Sequence, residues 1–352
     1  MKLYIHIGTE KTGSSFLQSY LANNRDFLKK NGMLYPSGGM HDKSMIKGLV
    51  SPGNASLLNE LLEKEDWKGV QQWLQKKKQE CHNHNCDQLL LSNEILIKTF
   101  SKKNRLSGFL NICKELKLTN PSFLLYIREP VSQALSLYKH RSKNGNMLAI
   151  DEWLENHYVL PKCLTSFYSI IEDLPTHLYQ YPYRKDGEFL IDVCINKYLE
   201  LNVSIQYEEQ SINPSLTLSE LTLLSEIKKK NPLLVQPFYN KMISIPFSDK
   251  AKDKELSSQI SDQINNYLSY FNDLWEIVHK YMSLPGEKHQ YHYKNIESTQ
   301  NYTLNLSTTQ VQRLGEIISY AGSWRFLKYQ IIQRVKKIVL RVTPQPIINL
   351  KN

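Results

Sequence analysis

Short, nearly unbroken apolar runs alternate along this chain with longer stretches in which apolar residues return every three or four positions. Leu3-Tyr4-Ile5-His6-Ile7, Leu89-Leu90-Leu91 and Phe123-Leu124-Leu125-Tyr126-Ile127 are runs of the first kind, and such runs fill strands covered on both faces. Met33-Leu34-Tyr35-Pro36, stopped by its proline, and Leu178-Tyr179-Gln180-Tyr181 read as two further strands. Phe16, Leu17, Tyr20, Leu21, Phe27 and Leu28 have helical spacing, which marks a helix directly after the first strand. The same pattern predicts helices over 57–80, 105–117, 150–157, 165–172, 189–199 and 217–230, the last capped by Thr217 or Ser219. Residues 37–54, rich in Gly, Ser, Pro and His, read as a loop lining a substrate cleft. Strand–helix alternation predicts an α/β fold, a parallel β-sheet flanked by helices with its ligands at the carboxyl ends of the strands.

The turn between the first strand and the first helix, Gly8-Thr9-Glu10-Lys11-Thr12-Gly13-Ser14-Ser15, has the parts of an anion cradle. Glycine lets the backbone approach an anion, a helix N-terminus offers unpaired N–H groups, and lysine adds full charge. Gly8 and Gly13 have the separation of a Walker A loop, G-x-x-x-x-G-K-[ST]. Here, however, Ser14 follows the second glycine and the lysine stands at position 11. The Lys-Ser/Thr pair that places Mg²⁺ on a nucleoside triphosphate is therefore missing.

A second anion site follows the run 123–127. Arg128-Glu129-Pro130 leads into a helix that carries Ser136-Leu137-Tyr138. Proline suits a first helical turn, and arginine grips phosphate with a two-pronged fork.

Lys11-Thr12-Gly13-Ser14-Ser15 resembles the 5′-phosphosulfate loop of sulfotransferases that use PAPS (3′-phosphoadenosine 5′-phosphosulfate). Arg128-x-Pro130 with Ser136 resembles the 3′-phosphate motif of the same family. The resemblance spans roughly residues 1–280 and implies a P-loop NTPase-like sulfotransferase fold. It implies that Lys11, Thr12, Ser14, Ser15 and the backbone from Gly13 to Ser15 hold the 5′-phosphate, and that Arg128 and Ser136 hold the 3′-phosphate. PAPS is then the donor, no metal is required, and the acceptor is a carbohydrate hydroxyl or amine in a bacterial surface polysaccharide or glycolipid. Ser211-Ile212-Asn213-Pro214-Ser215-Leu216 resembles an N-x-S-L segment found late in bacterial members, where it would close over the nucleotide. A P-loop-type nucleotide kinase, or a nucleotide-binding protein without catalysis, is the alternative reading.

Sulfuryl transfer needs a base for the attacking hydroxyl. Glu94 stands just beyond the strand at 89–91, at the edge where anions should bind, and Ser92-x-Glu94 resembles a motif of bacterial glycan-type members. Ser92 also has the chemistry to cap a helix beginning near Asn93, with Glu94 favoured by its dipole. His41, in the loop after the second strand, is the rival base. His6 alternates with Ile5 and Ile7 and would support the loop from behind.

Composition narrows the reading. The chain has 352 residues, 41% of them hydrophobic and 22% charged, an ordinary globular balance. Its formal charge of +10 favours anionic ligands, but no nucleic-acid-binding signature is present. The first strand begins almost at Met1, so no signal peptide is expected. No apolar stretch is long enough to span a bilayer. Five cysteines without a regular framework suggest reduced thiols in the cytoplasm. Cys81-His82-Asn83-His84-Asn85-Cys86 is a single cluster without a second ligand pair, so no metal site is expected.

The expected organisation is an α/β domain over 1–284 and a largely helical C-terminal extension over 285–352. Within the extension, Trp324, Leu327, Ile331, Val335, Ile338 and Val342 follow steps of three and four, with Arg325, Lys328, Arg334, Lys336, Lys337 and Arg341 on other faces. A basic amphipathic helix over 320–342 either packs on the domain or lies on an anionic membrane surface. The second placement makes the protein peripheral on the inner face of the membrane. The oligomeric state is not legible.

Overall fold

The computed structural model describes residues 1–119, 121–204, 216–244 and 254–283, together with Tyr291 and Tyr293. Five strands form one parallel sheet: β1 (Lys2–His6), β2 (Met33–Leu34), β3 (Gln88–Ser92), β4 (Ser122–Ile127) and β5 (His177–Pro182), in the order β2-β3-β1-β4-β5. The three apolar runs become the three central strands, β3, β1 and β4. Their interior residues are fully buried, as a sheet covered on both faces requires.

The helices are α1 (Ser14–Asn23), α2 (Arg25–Lys30), α3 (Asp42–Ile46), α4 (Ser56–Glu63), α5 (Trp67–Asn83), α6 (Leu96–Phe100), α7 (Lys103–Glu115), α8 (Pro130–Arg141), α9 (Ile150–Asn156), α10 (Leu160–Ile171), α11 (Gly187–Asp192), α12 (Leu218–Lys230), α13 (Val235–Ser244), α14 (Lys254–Ser269) and α15 (Asn272–Lys280). Tyr4, Leu90, Leu124 and Tyr126 form one face of the sheet and pack with Leu17 and Leu21 of α1, Met45 of α3 and Ile191 of α11. On the other face Phe123 meets Phe100 of α6 at 5.5 Å and Phe167 of α10 at 6.2 Å, and Phe109 of α7 backs Phe100 at 5.2 Å. These tilted and edge-on ring contacts are the arrangement that aromatic quadrupoles favour.

This topology positions a site. From β1 the chain crosses over β3 to reach β2; from β3 it crosses past β1 to reach β4. Right-handed crossovers in opposite directions put the helices that follow on opposite faces, and the carboxyl end of the strand where the direction changes is where open α/β sheets bind their ligands. The register adds a second feature. His6, the last residue of β1, pairs with Leu124, so β4 runs on beyond it to Ile127. The turn after β1 lies along that overhang: Ile7 N–H donates to the Leu124 carbonyl at 3.0 Å, and Tyr126 N–H donates to the Gly8 carbonyl at 3.2 Å.

Several helix boundaries differ from the expectation. The stretch 57–80 is two helices, α4 and α5, separated by Glu65 in the left-handed region (φ 54) and restarted by Asp66, whose side chain accepts from Gly69 N–H. Residues 37–54 contain a 3₁₀ turn (Gly39–His41) and α3 as well as loop. The helix expected at 165–172 starts at Leu160, with Pro161 in its first turn. The helix expected over 189–199 is α11 continued by a π-helical turn, Val193–Tyr198. That turn places the Tyr198 hydroxyl between two strands, accepting from Ile5 N–H (2.8 Å) and donating to the Ser122 carbonyl (2.5 Å).

The chain divides into two compact units. One comprises Met1–Leu137, Ile150–Ile212 and Ser261–Ser298 and holds the whole sheet; the other comprises Tyr138–Ala149, Asn213–Ile260 and Thr299–Asn352. The second has its own apolar cluster of Leu216, Leu221, Leu224, Phe238 and Met242. There α12 is opened by a capping box in which Thr217 and Glu220 bond reciprocally, so Thr217 is the cap. The segment 211–215 and the whole of 320–342 lie outside the described residues.

Candidate anion-binding site at the carboxyl end of the sheet

The turn after β1 is shaped by residues in the left-handed region. Gly8 has φ 111, and a Cβ on it would lie 2.3 Å from the Glu94 carbonyl oxygen. Only glycine therefore lets the turn lie directly against the chain that leaves β3. Lys11 follows with φ 66, and Gly13, at φ 77, is the residue from which α1 starts. A non-glycine residue held at such a φ is the kind of local strain that gathers at functional turns.

Gly13 brings no side-chain cap to α1, and the first turn of that helix carries no acidic residue. The opening amides of α1 have no intrahelical acceptors, so this helix end keeps its positive character. The side chains expected to help are arranged differently. Thr12 and Ser14 are both buried, and both hydroxyls turn inward to the Thr9 carbonyl, at 2.5 and 3.4 Å. Ser15 stays half-buried at the helix start. The cradle is thus mainly main chain, with two hydroxyls bracing it from within.

Helices on either side fasten this turn. Glu10 pairs with Lys98 of α6 at 2.5 Å. The Glu10 carbonyl accepts from Nε2 of Gln133 in α8 at 3.1 Å, and Gln133 Oε1 in turn accepts from the Tyr158 hydroxyl at 2.9 Å. Neither Gln133 nor Tyr158 is identifiable from the sequence. A polar residue among apolar ones on a buried helical face was the available signal, but it does not name its partner.

Arg128 stands at the end of the β4 overhang. Its Nη1 donates to the Lys11 carbonyl at 3.2 Å, and its guanidinium lies 5.5 Å from the centre of the Tyr183 ring. Tyr183 follows β5 and also borders Gly13, so the ends of β1, β4 and β5 meet at one place. Burial lowers the pKa of Arg128, while Tyr183 and Glu129 oppose that shift. One guanidinium offers five N–H donors, so the bond to Lys11 leaves donors for an anion.

Glu129 has a role that the sequence did not suggest. Its carboxylate accepts from Val131 N–H (2.9 Å), Ser132 N–H (2.7 Å) and the Tyr293 hydroxyl (3.0 Å). It therefore satisfies the first amides of α8 itself, and Arg128 is the cationic side chain at this strand end. Ser136, half-buried, lies in the second turn of α8.

Glu94 is half-buried between Asn93 and Ile95, with its main chain against Gly8. The alternative, a helix capped by Ser92, does not form. Helix α6 begins only at Leu96, and Asn93 Oδ1 takes the Ile95 N–H at 2.8 Å. Ser92 remains in β3, where its hydroxyl meets His6 Nδ1 at 2.9 Å and Gln18 Nε2 at 3.2 Å. His6 is fully buried beneath the turn, and burial alone lowers its pKa to about 4, so it is a neutral support.

His41 ends the 3₁₀ turn, half-buried. Among the described residues no hydrogen bond joins its ring to the turn after β1, to Glu94 or to Arg128. The five cysteines are free thiols. Cys81 Sγ faces the carbonyls of Cys86 and Gln88, and Cys86 Sγ faces the carbonyl of His84. The structure thus brings together Lys11, Gly13, Arg128 and the Glu94 main chain, and adds Tyr183, Gln133 and Glu129. No protein-family model, curated protein or solved structure matches this chain.

Proposed function

We propose that this protein is a sulfotransferase that moves the sulfuryl group of PAPS to a hydroxyl or amine of a carbohydrate acceptor. The observation that carries the reading is the 3.2 Å bond from Arg128 to the Lys11 carbonyl. It joins a phosphate-type helix N-terminus to an arginine suited to a second phosphate, as one bisphosphorylated nucleotide requires. The uncapped start of α1, free of first-turn acids, fits the 5′ side of that ligand. The remaining N–H donors of Arg128 fit the 3′ side. On this reading the fold is P-loop NTPase-like, its glycine turn leading from the central strand into α1.

PAPS supplies an activated sulfuryl group and a stable leaving group, the bisphosphate PAP. Lys11 and the amides from Gly13 to Ser15 would hold the bridging phosphate and stabilise charge as it builds there, where fixed donors are most effective. Arg128 and Ser136 would fix the far end of the nucleotide, and such positioning lowers the barrier. Glu94 would take the proton from the attacking hydroxyl. A surface glycan or glycolipid is the acceptor class, and the cytoplasm, at the inner face of the membrane, is the place of work.

Two measurements test the reading. Thermal shift with PAP is expected to exceed that with ATP-Mg²⁺; the reverse order would identify a kinase-like or purely nucleotide-binding protein instead. Labelled sulfate from PAPS is expected to enter at least one glycan in an acceptor panel.

A further inference from the structure

Nine large apolar side chains are exposed among the described residues, and four of them fall within residues 40–50: Met40 (89% exposed), Ile46 (44%), Leu49 (50%) and Val50 (67%). They sit on an anchored segment. Met45 is fully buried in the core beside α1. The Ile46 carbonyl accepts from Asn23 Nδ2 at 3.0 Å, and Leu49 N–H donates back to the Ser44 carbonyl at 2.9 Å. Downstream, the Asn54 side chain accepts from Ser92 N–H at 2.7 Å and donates to the Leu90 carbonyl at 3.2 Å, which ties the segment to β3 just before Glu94. These bonds anchor the segment while its four apolar side chains stay exposed.

The charges beside them share one sign. Lys43 and Lys47 are exposed. The one acid in residues 37–54, Asp42, is neutralised by Arg25 at 2.5 Å and accepts from Gly38 N–H. Protein–protein interfaces favour aromatic residues, methionine and arginine and are depleted in lysine. Of the favoured types this patch has only Met40, and two exposed lysines lie beside it. Short apolar groups beside lysines, whose long stems lift the charge to headgroup level, suit an anionic bilayer.

We infer that residues 40–50 form a membrane-docking surface, with Met40, Ile46, Leu49 and Val50 entering the interfacial layer and Lys43 and Lys47 pairing with anionic lipid headgroups. Its tether to β3 holds the end of the sheet that carries Glu94 toward the bilayer. The inference needs neither PAPS binding nor the segment 320–342.

Sedimentation of the full-length protein with vesicles tests it. Phosphatidylglycerol-containing vesicles are expected to retain the protein at low salt, and pure phosphatidylcholine vesicles to retain far less. Leu49→Glu with Val50→Glu, and separately Lys43→Glu with Lys47→Glu, are expected to weaken partitioning by about tenfold or more. Leu57→Glu, at an exposed apolar position elsewhere, is expected to leave it unchanged, and thermal melts confirm that each variant is folded. The inference is overturned by equal binding to neutral vesicles, by patch variants that bind like the parent, or by loss of binding only on Lys336→Glu with Lys337→Glu. A patch variant that instead converts an oligomer to a monomer would show the surface to be a contact between copies. PAP thermal shift on the same variants is expected to be unchanged, which separates this result from the nucleotide reading.

Discussion

Arg128 donates through Nη1 to the main-chain carbonyl of Lys11 at 3.2 Å, so the end of β4 holds the turn that follows β1. An arginine in that place is expected to serve the nucleotide phosphate that the turn does not reach. Arg128→Ala should weaken PAP binding by about 10- to 100-fold, as loss of a charge-assisted bond does. Binding of adenosine 5′-monophosphate, which lacks the 3′-phosphate, should change much less. Arg128→Lys should recover part of the loss, because a point charge cannot reproduce the fork. Calorimetric titration of both nucleotides reads the difference. An equal loss for the two would reduce Arg128 to a brace for Lys11.

Gly8→Ala is expected to destabilise the fold by about 2–4 kcal/mol, combining a left-handed backbone penalty with overpacking. The added carbon would lie 2.3 Å from the Glu94 carbonyl oxygen at a φ of 111. Relief requires the turn to leave β3, so PAP affinity should fall together with stability. Urea denaturation and PAP titration test this. A variant as stable as the parent would mean that Gly8 and Glu94 are not in contact.

The fold was legible where burial is complete and hidden where geometry is long-range. The strands β1, β3 and β4 read as apolar runs because both of their faces are covered. The break between α4 and α5 did not, because Glu65 rather than glycine takes the left-handed conformation there. The Lys11 and Arg128 turns were visible as motifs. Their meeting depends on β4 extending past β1, and that register leaves no mark in either segment alone. The hydroxyls of Thr12 and Ser14 turn inward because the Thr9 carbonyl lies within reach, a contact set by the fold of the turn rather than by its composition. Glu129 looked like the variable centre of Arg128-x-Pro130, yet it caps α8.

Glu94→Gln separates chemistry from binding. The substitution keeps the size of the side chain and removes the proposed base, so kcat for sulfuryl transfer should fall by about 10²- to 10⁴-fold. PAP affinity should change little, since the proposed anion sites are the α1 terminus and Arg128. His41→Ala should leave kcat within a few-fold, because its ring has no described bond to this site. Should the two variants exchange these phenotypes, His41 would be the base.

The buried His6 makes stability depend on pH in a defined window. An unfolded histidine titrates near 6.5; in the folded protein burial lowers His6 to about 4. Between those values the unfolded chain carries a proton that the folded chain refuses, so stability rises with pH there. Each unit of acidification within the window costs up to about 1.4 kcal/mol. Above the upper value the contribution is complete, and below the lower one no further loss occurs from this group. Asp42 acts at lower pH: burial raises its pKa, but bonds from Arg25 and Gly38 bring it below the usual carboxylate value. Its contribution is therefore lost only as pH falls through that lower range. His6→Asn keeps a polar group opposite Ser92 and removes the titration. Urea midpoints at pH 7 and pH 4.5 should fall more for the parent than for the variant, by an amount equivalent to about 2–3 kcal/mol. Parallel losses in the two proteins would mean that His6 is already able to take up its proton in the folded state.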